Sequence, residues 1–215
     1  MKTGKRSVCP RFSQSKGDTV KTGYRREHDK NWKTFRLSPG LLSSVLLAFA
    51  GVCAAHVGGL KYWVEPCARP AEMGCKGGDP DLAQWAMEAW QAASDGKLHV
   101  ERTAEKNQAI IKIYWVSRRA GLYGETRGGD VFVRPDPGEG LLREATVYLT
   151  CLHETGHALG LGHTAHFDDI MYNFQYGGDI AEYFARYARK LERREDIRKH
   201  PGMSQNDRKR LAAGL

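Results

Sequence analysis

Three histidines and one glutamate lie close together in the second half of the chain, and their spacing suits hydrolytic chemistry. They are His153, Glu154, His157 and His163. Residues four apart on a helix differ by only about 40° around its axis, so His153 and His157 are expected to project from one face. Two imidazoles on one face can hold a divalent metal ion, and a neighbouring carboxylate can take a proton from water. The pattern therefore indicates a metal-dependent hydrolytic site.

A third histidine can join this pair only if the chain turns back after the helix. Gly160 permits such a turn, because glycine adopts left-handed backbone angles without steric cost. Three neutral nitrogen ligands leave a fourth position open for water, which is the arrangement of catalytic zinc. His166 is an alternative third ligand, and ordinary surface histidines are the alternative to a metal site. We predict one zinc ion bound by His153, His157 and His163.

The extended pattern of residues 153–163 resembles the signature of the metzincin zinc peptidases. Met171 lies eight residues after His163, at a spacing that resembles the methionine turn of the matrixin branch, and Thr164 resembles the matrixin serine. In that family the methionine forms a hydrophobic base beneath the metal; elsewhere Met171 would be an ordinary core residue. The resemblance implies a zincin-like catalytic domain with a small twisted mixed sheet, an active-site helix and C-terminal helices. It also implies that a peptide binds along an edge strand near residues 121–126.

Several features depart from the matrixin pattern. No segment resembles the cysteine-switch propeptide, and the histidine-rich segment that holds a second zinc in many matrixins is missing. Asn173 replaces the proline that usually follows the Met-Tyr pair. Residues 179–198 read as a charged helix that looks like an insertion and would restrict access to the site. A small bacterial matrixin-like enzyme fits this combination best.

These observations predict a zinc-dependent endopeptidase that acts on a peptide or protein substrate. Glu154 is expected to activate the zinc-bound water by taking its proton and then to pass that proton to the departing amine. Tyr172 is expected either to line the pocket beside the leaving group or to pack in the core. The alternatives are a zinc hydrolase of narrow specificity and a catalytically silent zinc-binding module. Glu154 weighs against the silent module, which has no need for a carboxylate beside the metal.

The positive charge of the chain is confined to its N-terminal segment. The net charge is +8, and residues 1–55 carry eleven Lys or Arg against three Asp or Glu. Residues 56–215 carry 22 basic and 22 acidic side chains, so this part has no overall attraction for phosphates. We therefore predict no nucleic-acid partner, and we expect a monomer.

The N-terminal segment resembles an export signal. Residues 1–40 are predicted to form a basic disordered leader, and the uncharged residues 41–55 have the character of a signal-peptide core. Those fifteen residues fall short of the roughly 20 that span a bilayer as a helix. Residues 56–215 are predicted to form the catalytic domain, secreted or periplasmic. An uncleaved leader, holding that domain outside the cytoplasm, is the alternative and the only predicted membrane contact.

Hydrophobic periodicity predicts an α+β domain over residues 56–215. Strands are predicted at residues 60–64, 98–101, 109–116, 121–126 and 130–134. Helices are predicted after an Asp81 cap, at residues 141–159 and 179–198, and after a Ser204–Asp207 capping pair.

Cysteines and acidic loops leave alternatives open. Cys67 and Cys75 are eight residues apart and would form either a disulfide or two reduced thiols, while Cys151 is expected to be a small buried residue. Four acidic loop residues are weak candidates for calcium, with simple solvation as the alternative: Asp136, Glu139, Asp168 and Asp169.

Overall fold

A computed structural model describes residues 59–117 and 123–215. These residues contain one five-stranded sheet with the strand order β2-β1-β3-β5-β4. The strands are β1 (Leu60–Val64), β2 (Val100–Arg102), β3 (Ile111–Trp115), β4 (Gly124–Arg127) and β5 (Asp130–Val133). Neighbouring strands are parallel except for β4, which pairs antiparallel with β5. Because β4 has only one partner among the described strands, it forms an edge of the sheet.

Five helices accompany the sheet in the described residues. They are α1 (Pro70–Met73), α2 (Asp79–Ala93), α3 (Gly140–Ala158), α4 (Ile180–Ala188) and α5 (Gln205–Gly214). The mixed sheet, the long helix that carries the histidines and the C-terminal helices confirm the predicted α+β class. Short 3₁₀ turns lie at Lys106–Gln108, Phe174–Tyr176 and Arg194–Arg198.

The core lies between one face of the sheet and the two long helices, α2 and α3. Alternate strand residues such as Ile111 and Ile113 are fully buried on this face. The indole of Trp90 on α2 donates to the Leu152 carbonyl at 3.0 Å and contacts Thr155 Oγ1 at 3.1 Å on α3. This side of α3 is therefore fixed against α2, while its other side remains available for a site.

A buried ion pair joins the beginnings of the two long helices. Arg143 on α3 donates through two nitrogens to the carboxylate of Asp79, and both side chains are almost fully buried. The predicted cap at Asp81 is wrong, because the helix starts two residues earlier, at Asp79, with Pro80 in its first turn. The Asp79 carboxylate also accepts from the Lys76 amide at 2.9 Å, which holds the chain at this start.

The predicted single helix over residues 179–198 is also wrong, because two shorter elements replace it. The first, α4, ends at Ala188. The Asp196 carboxylate then accepts from the amides of Glu192 and Arg193 at 3.1 Å and starts a new 3₁₀ turn. Leu191 lies in the break and is buried, so the apolar stripe continues through a change of backbone direction.

Other predicted elements agree with the structure to within a few residues. The first strand, the ligand helix and the capping box of Ser204 and Asp207 are confirmed. Cys67 and Cys75 form a disulfide, and Cys151 is a buried free thiol, as expected. The predicted leader and signal segment lie outside the described residues. Among the residues that are described, no helix is both long and apolar enough to cross a membrane.

Candidate active site

The three predicted metal ligands converge at the C-terminal end of α3. One ligand atom from each of His153, His157 and His163 lies within 4.8 Å of the others. His153 and His157 share a face of the helix, as their spacing predicts. Gly160 has a φ of +90° and turns the chain after the last helical residue, so that His163 reaches the same point from outside the helix. His166 does not belong to this cluster.

Backbone carbonyls fix which nitrogen of each helical histidine carries hydrogen. His153 Nδ1 lies 2.6 Å from the Ile170 carbonyl oxygen, and His157 Nδ1 lies 2.8 Å from the Leu161 carbonyl oxygen. Because a carbonyl can only accept, each Nδ1 must donate. In the neutral rings both Nε2 atoms therefore keep a free lone pair, which is the form that binds a metal ion.

The donor set fits zinc. His157 Nε2 and His163 Nε2 lie 3.1 Å apart, close to the roughly 3.3 Å between two nitrogens on a tetrahedral zinc. Two ring nitrogens at this distance require a proton or a cation between them. Burial lowers the pKa of His153 to about 4, and it also lowers the pKa of His163. The neutral forms of these two imidazoles, which zinc needs, are thus favoured at neutral pH.

Met171 lies directly beneath the ligand helix. It is fully buried, and a methyl group placed on Gly156 would lie 2.5 Å from its sulfur and 2.9 Å from the Trp90 ring. Glycine at position 156 therefore leaves the space that Met171 and Trp90 occupy against the helix. The Thr164 amide donates to the Met171 carbonyl at 2.8 Å and ties the third ligand's segment to the same support.

Glu154 is held beside the histidines by the edge strand. Thr126 Oγ1 donates to Glu154 Oε2 at 2.8 Å and lies equally close to the Glu154 carbonyl oxygen. A Cβ on Gly124 would lie only 2.5 Å from Glu154 Cγ, so β4 approaches closely only because this residue is glycine. Burial raises the pKa of Glu154, while the Thr126 hydrogen bond lowers it. A partly desolvated carboxylate with a raised pKa is suited to exchanging protons near neutral pH.

A cleft of about 610 Å³ opens over these residues. On one side it is bordered by Tyr123 and the first residues of the edge strand, and on the other by the Phe174–Tyr176 turn and α4. Most of its lining surface is apolar, with contributions from Leu149, Ile170, Phe174, Ile180, Tyr183 and Phe184. The rings of Tyr123 and Phe184 approach to 5.2 Å between centroids, so the two sides meet at one end.

Tyr172 and Asn173 both border the cleft. Tyr172 is 5% exposed, borders the cleft and donates through its hydroxyl to the Gly177 carbonyl at 2.9 Å, so it packs and lines the site at once. The Asn173 side-chain oxygen accepts from the Gln175 amide at 2.9 Å, and its side-chain nitrogen lies 3.4 Å from His163 Nδ1.

Sequence reasoning missed Thr126, Gly124 and Phe184. Thr126 and Gly124 touch Glu154 only because β4 packs on α3, and Phe184 reaches the cleft only through the placement of α4. The one local signal was the glycine inside a predicted strand, which often marks a close approach of another group.

The four acidic residues considered for calcium are engaged by the protein itself. Asp136 accepts from the Gly138 amide at 2.7 Å, and Glu139 pairs with Lys76. Asp168 pairs with Arg186 at 2.6 Å. Asp169 accepts from Ser204 and Asn206, each at 2.6 Å. Among the described residues, the three histidines form the one group of three or more candidate metal ligands, and the weak calcium alternative stays untested.

Solved structures with similarity to this chain were found by comparison with known proteins. The chain matches no protein-family model and no curated protein sequence. It is similar to the archaemetzincin of Methanopyrus kandleri, with 16% identity and a TM-score of 0.45 over 74% of this chain and 97% of that one. It is also similar to a zinc-dependent peptidase of Methanocorpusculum labreanum strain Z, with 12% identity and a TM-score of 0.38 over 71% of this chain and 100% of that one. At these scores neither likeness identifies an activity, which must be derived from the site itself.

Proposed function

We propose that the chain is a zinc-dependent endopeptidase. The observation that carries this proposal is the combination of three converging histidines with a buried, strand-supported Glu154 at one apolar cleft. Zinc held by His153, His157 and His163 would supply a Lewis acid that polarises a peptide carbonyl and acidifies water. A site that only stored or sensed zinc would have no use for a proton acceptor beside an open position.

Glu154 moves the proton in this proposal. Its Oε2 is held by Thr126, while its Oε1 accepts no hydrogen bond from the described residues. Glu154 takes a proton from water as the water oxygen bonds to the scissile carbonyl carbon. As the carbon–nitrogen bond breaks, the same carboxyl gives the proton to the departing amine and returns to its starting state.

The edge strand supports a binding mode for an extended peptide. Residues 123–126 border the cleft, and β4 has one backbone edge without a strand partner among the described residues. A peptide can pair with that edge through main-chain hydrogen bonds, which are indifferent to side-chain identity. Selectivity then depends on the apolar pocket beneath, where a bulky aliphatic or aromatic side chain next to the cleaved bond would be buried.

The proposal extends to a matrixin-like relationship and to export. The hydrogen bond between the Thr164 amide and the Met171 carbonyl supports the first, because these residues carry the matrixin resemblance in the sequence, and a Cys67–Cys75 disulfide supports the second, because it is typical of oxidising compartments. Mass spectrometry of protein recovered outside the cytoplasm should find a mature N-terminus near His56. An intact Met1 peptide there would favour the uncleaved anchor, and protein found only in the cytoplasm would contradict export.

A quenched-fluorescent peptide library tests the endopeptidase directly. The purified chain, loaded with one zinc, should cleave internal peptide bonds, and a chelator should abolish cleavage. The alternatives give different results. A hydrolase of narrow specificity, with α4 limiting access, would cleave very few library members. A silent zinc-binding module would hold zinc and cleave none, which would contradict the proposal.

A further inference from the structure

The C-terminal helix α5 contacts the support beneath the histidines through its first turn. Ser204 and Asp207 form a reciprocal capping box at its start, and Asp207 is fully buried. A cap alone would need one oxygen of the Asp207 carboxylate. That group instead also accepts hydrogen bonds from residues 169–171, which we call the methionine turn.

Asp207 holds two successive amides of the methionine turn. Its Oδ2 accepts from the Ile170 amide at 2.9 Å and from the Ser204 amide at 2.9 Å. Its Oδ1 lies 3.4 Å from the Met171 amide nitrogen. Each oxygen therefore faces at least one backbone N–H. A donor group in place of either oxygen would meet that N–H and could not form a hydrogen bond with it.

The Met171 amide belongs to the same rigid peptide unit as the Ile170 carbonyl. In a planar trans peptide, the N–H and C=O bonds point in opposite directions. On one side of this plane the amide points to Asp207. On the other side the Ile170 carbonyl accepts from His153 Nδ1 at 2.6 Å. The orientation of this single plane therefore decides whether His153 keeps its acceptor.

A second set of contacts ties α5 to the same turn. The Asp169 carboxylate accepts from Ser204 Oγ and from Asn206 Nδ2, each at 2.6 Å. The Tyr183 hydroxyl donates to the Asp169 carbonyl at 2.9 Å from the side of α4. The turn is thus held from two helices, but among the described residues only Asp207 lies within hydrogen-bonding distance of the Met171 N–H, in the peptide plane whose carbonyl faces His153.

We infer that Asp207 is a positioning residue for the metal ligand His153, and that it acts through the peptide plane between Ile170 and Met171. This inference rests on the proposed zinc site. Asp207 makes no hydrogen bond to His153 itself. It keeps the Ile170 carbonyl pointed at Nδ1, so that Nε2 stays unprotonated and directed at the metal position.

Asp207→Asn tests the inference, with Asp196→Asn as a matched control. Both residues complete a capping box, both are largely buried, and each accepts two backbone amides through one oxygen. In Asp207→Asn, the amide oxygen can replace Oδ2, but the NH₂ group then meets the Met171 N–H. That clash should rotate the peptide plane. Asp196 touches no part of the active site, so its substitution costs stability alone.

The main measurement is the zinc affinity of the full chain, determined by chelator competition. On the same samples, the ¹⁵N NMR signals of the histidines in the zinc-free protein report their tautomers, and the denaturation midpoint reports stability. We expect Asp207→Asn to bind zinc about 10- to 100-fold more weakly than Asp196→Asn, which is the usual effect of losing an outer-shell partner. The His153 signals should show a mixture of tautomers only in Asp207→Asn. Equal zinc affinities of the two variants would overturn the inference.

Two further results keep this inference separate from the proposed function. If Asp207→Asn does not fold, the zinc-free wild-type chain supplies a second test: the ¹⁵N signals of His153 should show the single tautomer protonated at Nδ1, and a mixture of tautomers would overturn the inference. If the wild-type chain binds zinc but hydrolyses no peptide, the endopeptidase proposal fails while the affinity comparison still decides the role of Asp207. A wild-type chain without zinc would overturn both.

Discussion

The floor of the cleft and one of its walls are held together by different kinds of contact. The metal floor, which comprises the end of α3, the methionine turn and the start of α5, is held by short directional hydrogen bonds to buried carboxylates and carbonyls. The cleft wall, which comprises Phe174–Tyr176 and α4, is held mainly by aromatic packing. Phe174 and Tyr183, for example, meet edge to face at 5.3 Å between ring centroids.

This difference suits the separate tasks of the two regions. A metal site needs ligand nitrogens placed to within a few tenths of an ångström, and directional bonds to rigid elements provide that. A side-chain pocket needs shape and apolar surface, which packed rings provide while tolerating changes of volume. Changes in the floor should therefore act on zinc and on turnover, and changes in the wall should act on substrate preference.

Glu154→Gln should give the largest effect and the sharpest separation of chemistry from metal binding. The amide cannot accept the proton, so kcat should fall by on the order of 10³-fold, within the usual range for loss of a general base. Zinc content should stay at the wild-type value, because the three histidines are unchanged. Steady-state kinetics and metal analysis on one sample check this, and a variant that retains wild-type kcat would refute the role of Glu154.

Gly156→Ala should damage the floor itself. Alanine normally favours a helix interior by up to about 1 kcal/mol. Here the added methyl group would meet Met171 and Trp90, so we expect a loss of about 1–3 kcal/mol in the free energy of unfolding. Denaturant titration measures it. Gly162→Ala is the control, because the nearest atom to its added methyl group would be in the Arg210 side chain, at an ordinary contact distance of 3.8 Å. Equal stability of the two variants would contradict the close packing of the floor.

Phe184→Ala should change the wall without touching the floor. Removing the ring enlarges the apolar pocket. For two peptide substrates that differ only in the side chain bound in that pocket, the ratio of kcat/KM for Trp to kcat/KM for Leu should therefore rise about tenfold. Zinc affinity should not change. Phe132→Ala is the control, because Phe132 stacks on Tyr114 away from the cleft. If Phe184→Ala lowered zinc affinity and left the ratio constant, the division between floor and wall would be wrong.

Thr126→Val should give the smallest effect, a shift in pH dependence. The Thr126 hydrogen bond lowers the Glu154 pKa against the effect of burial, so its loss should raise that pKa further. Because the base acts in its ionised form, the acidic limb of kcat/KM should move to higher pH. Thr146→Val is the control, since Thr146 Oγ1 donates to the Leu142 carbonyl within α3. If the acidic limb of Thr126→Val stayed at the wild-type pH or moved to lower pH, the contact with Glu154 would be contradicted.

The sequence was sufficient where neighbours along the chain decide the structure. The histidine spacing, the turn at Gly160 and the Ser204–Asp207 capping box are all local, and the structure contains each of them. One local feature was nevertheless missed: the length of α4 was predicted wrongly, because the apolar stripe reaching Leu191 hides the backbone break that the nearby Asp196 carboxylate stabilises.

Contacts between distant segments could not be predicted from spacing. Thr126 meets Glu154 because an edge strand packs against a helix, and Asp207 meets the methionine turn across 36 residues. The sequence identified both the capping carboxylate and the methionine but gave no reason to connect them. The capping carboxylate and the methionine were thus each identified from the sequence, and only the fold shows that they are in contact.

X-ray absorption at the zinc edge of the zinc-loaded full chain tests the central claim most directly. The account predicts three imidazole nitrogens at about 2.0–2.1 Å and one or two further light-atom ligands at the open position. His163→Ala should reduce the imidazole count by one. A sulfur ligand at about 2.3 Å, or a shell of oxygens with fewer than three imidazoles, would contradict a three-histidine catalytic zinc site.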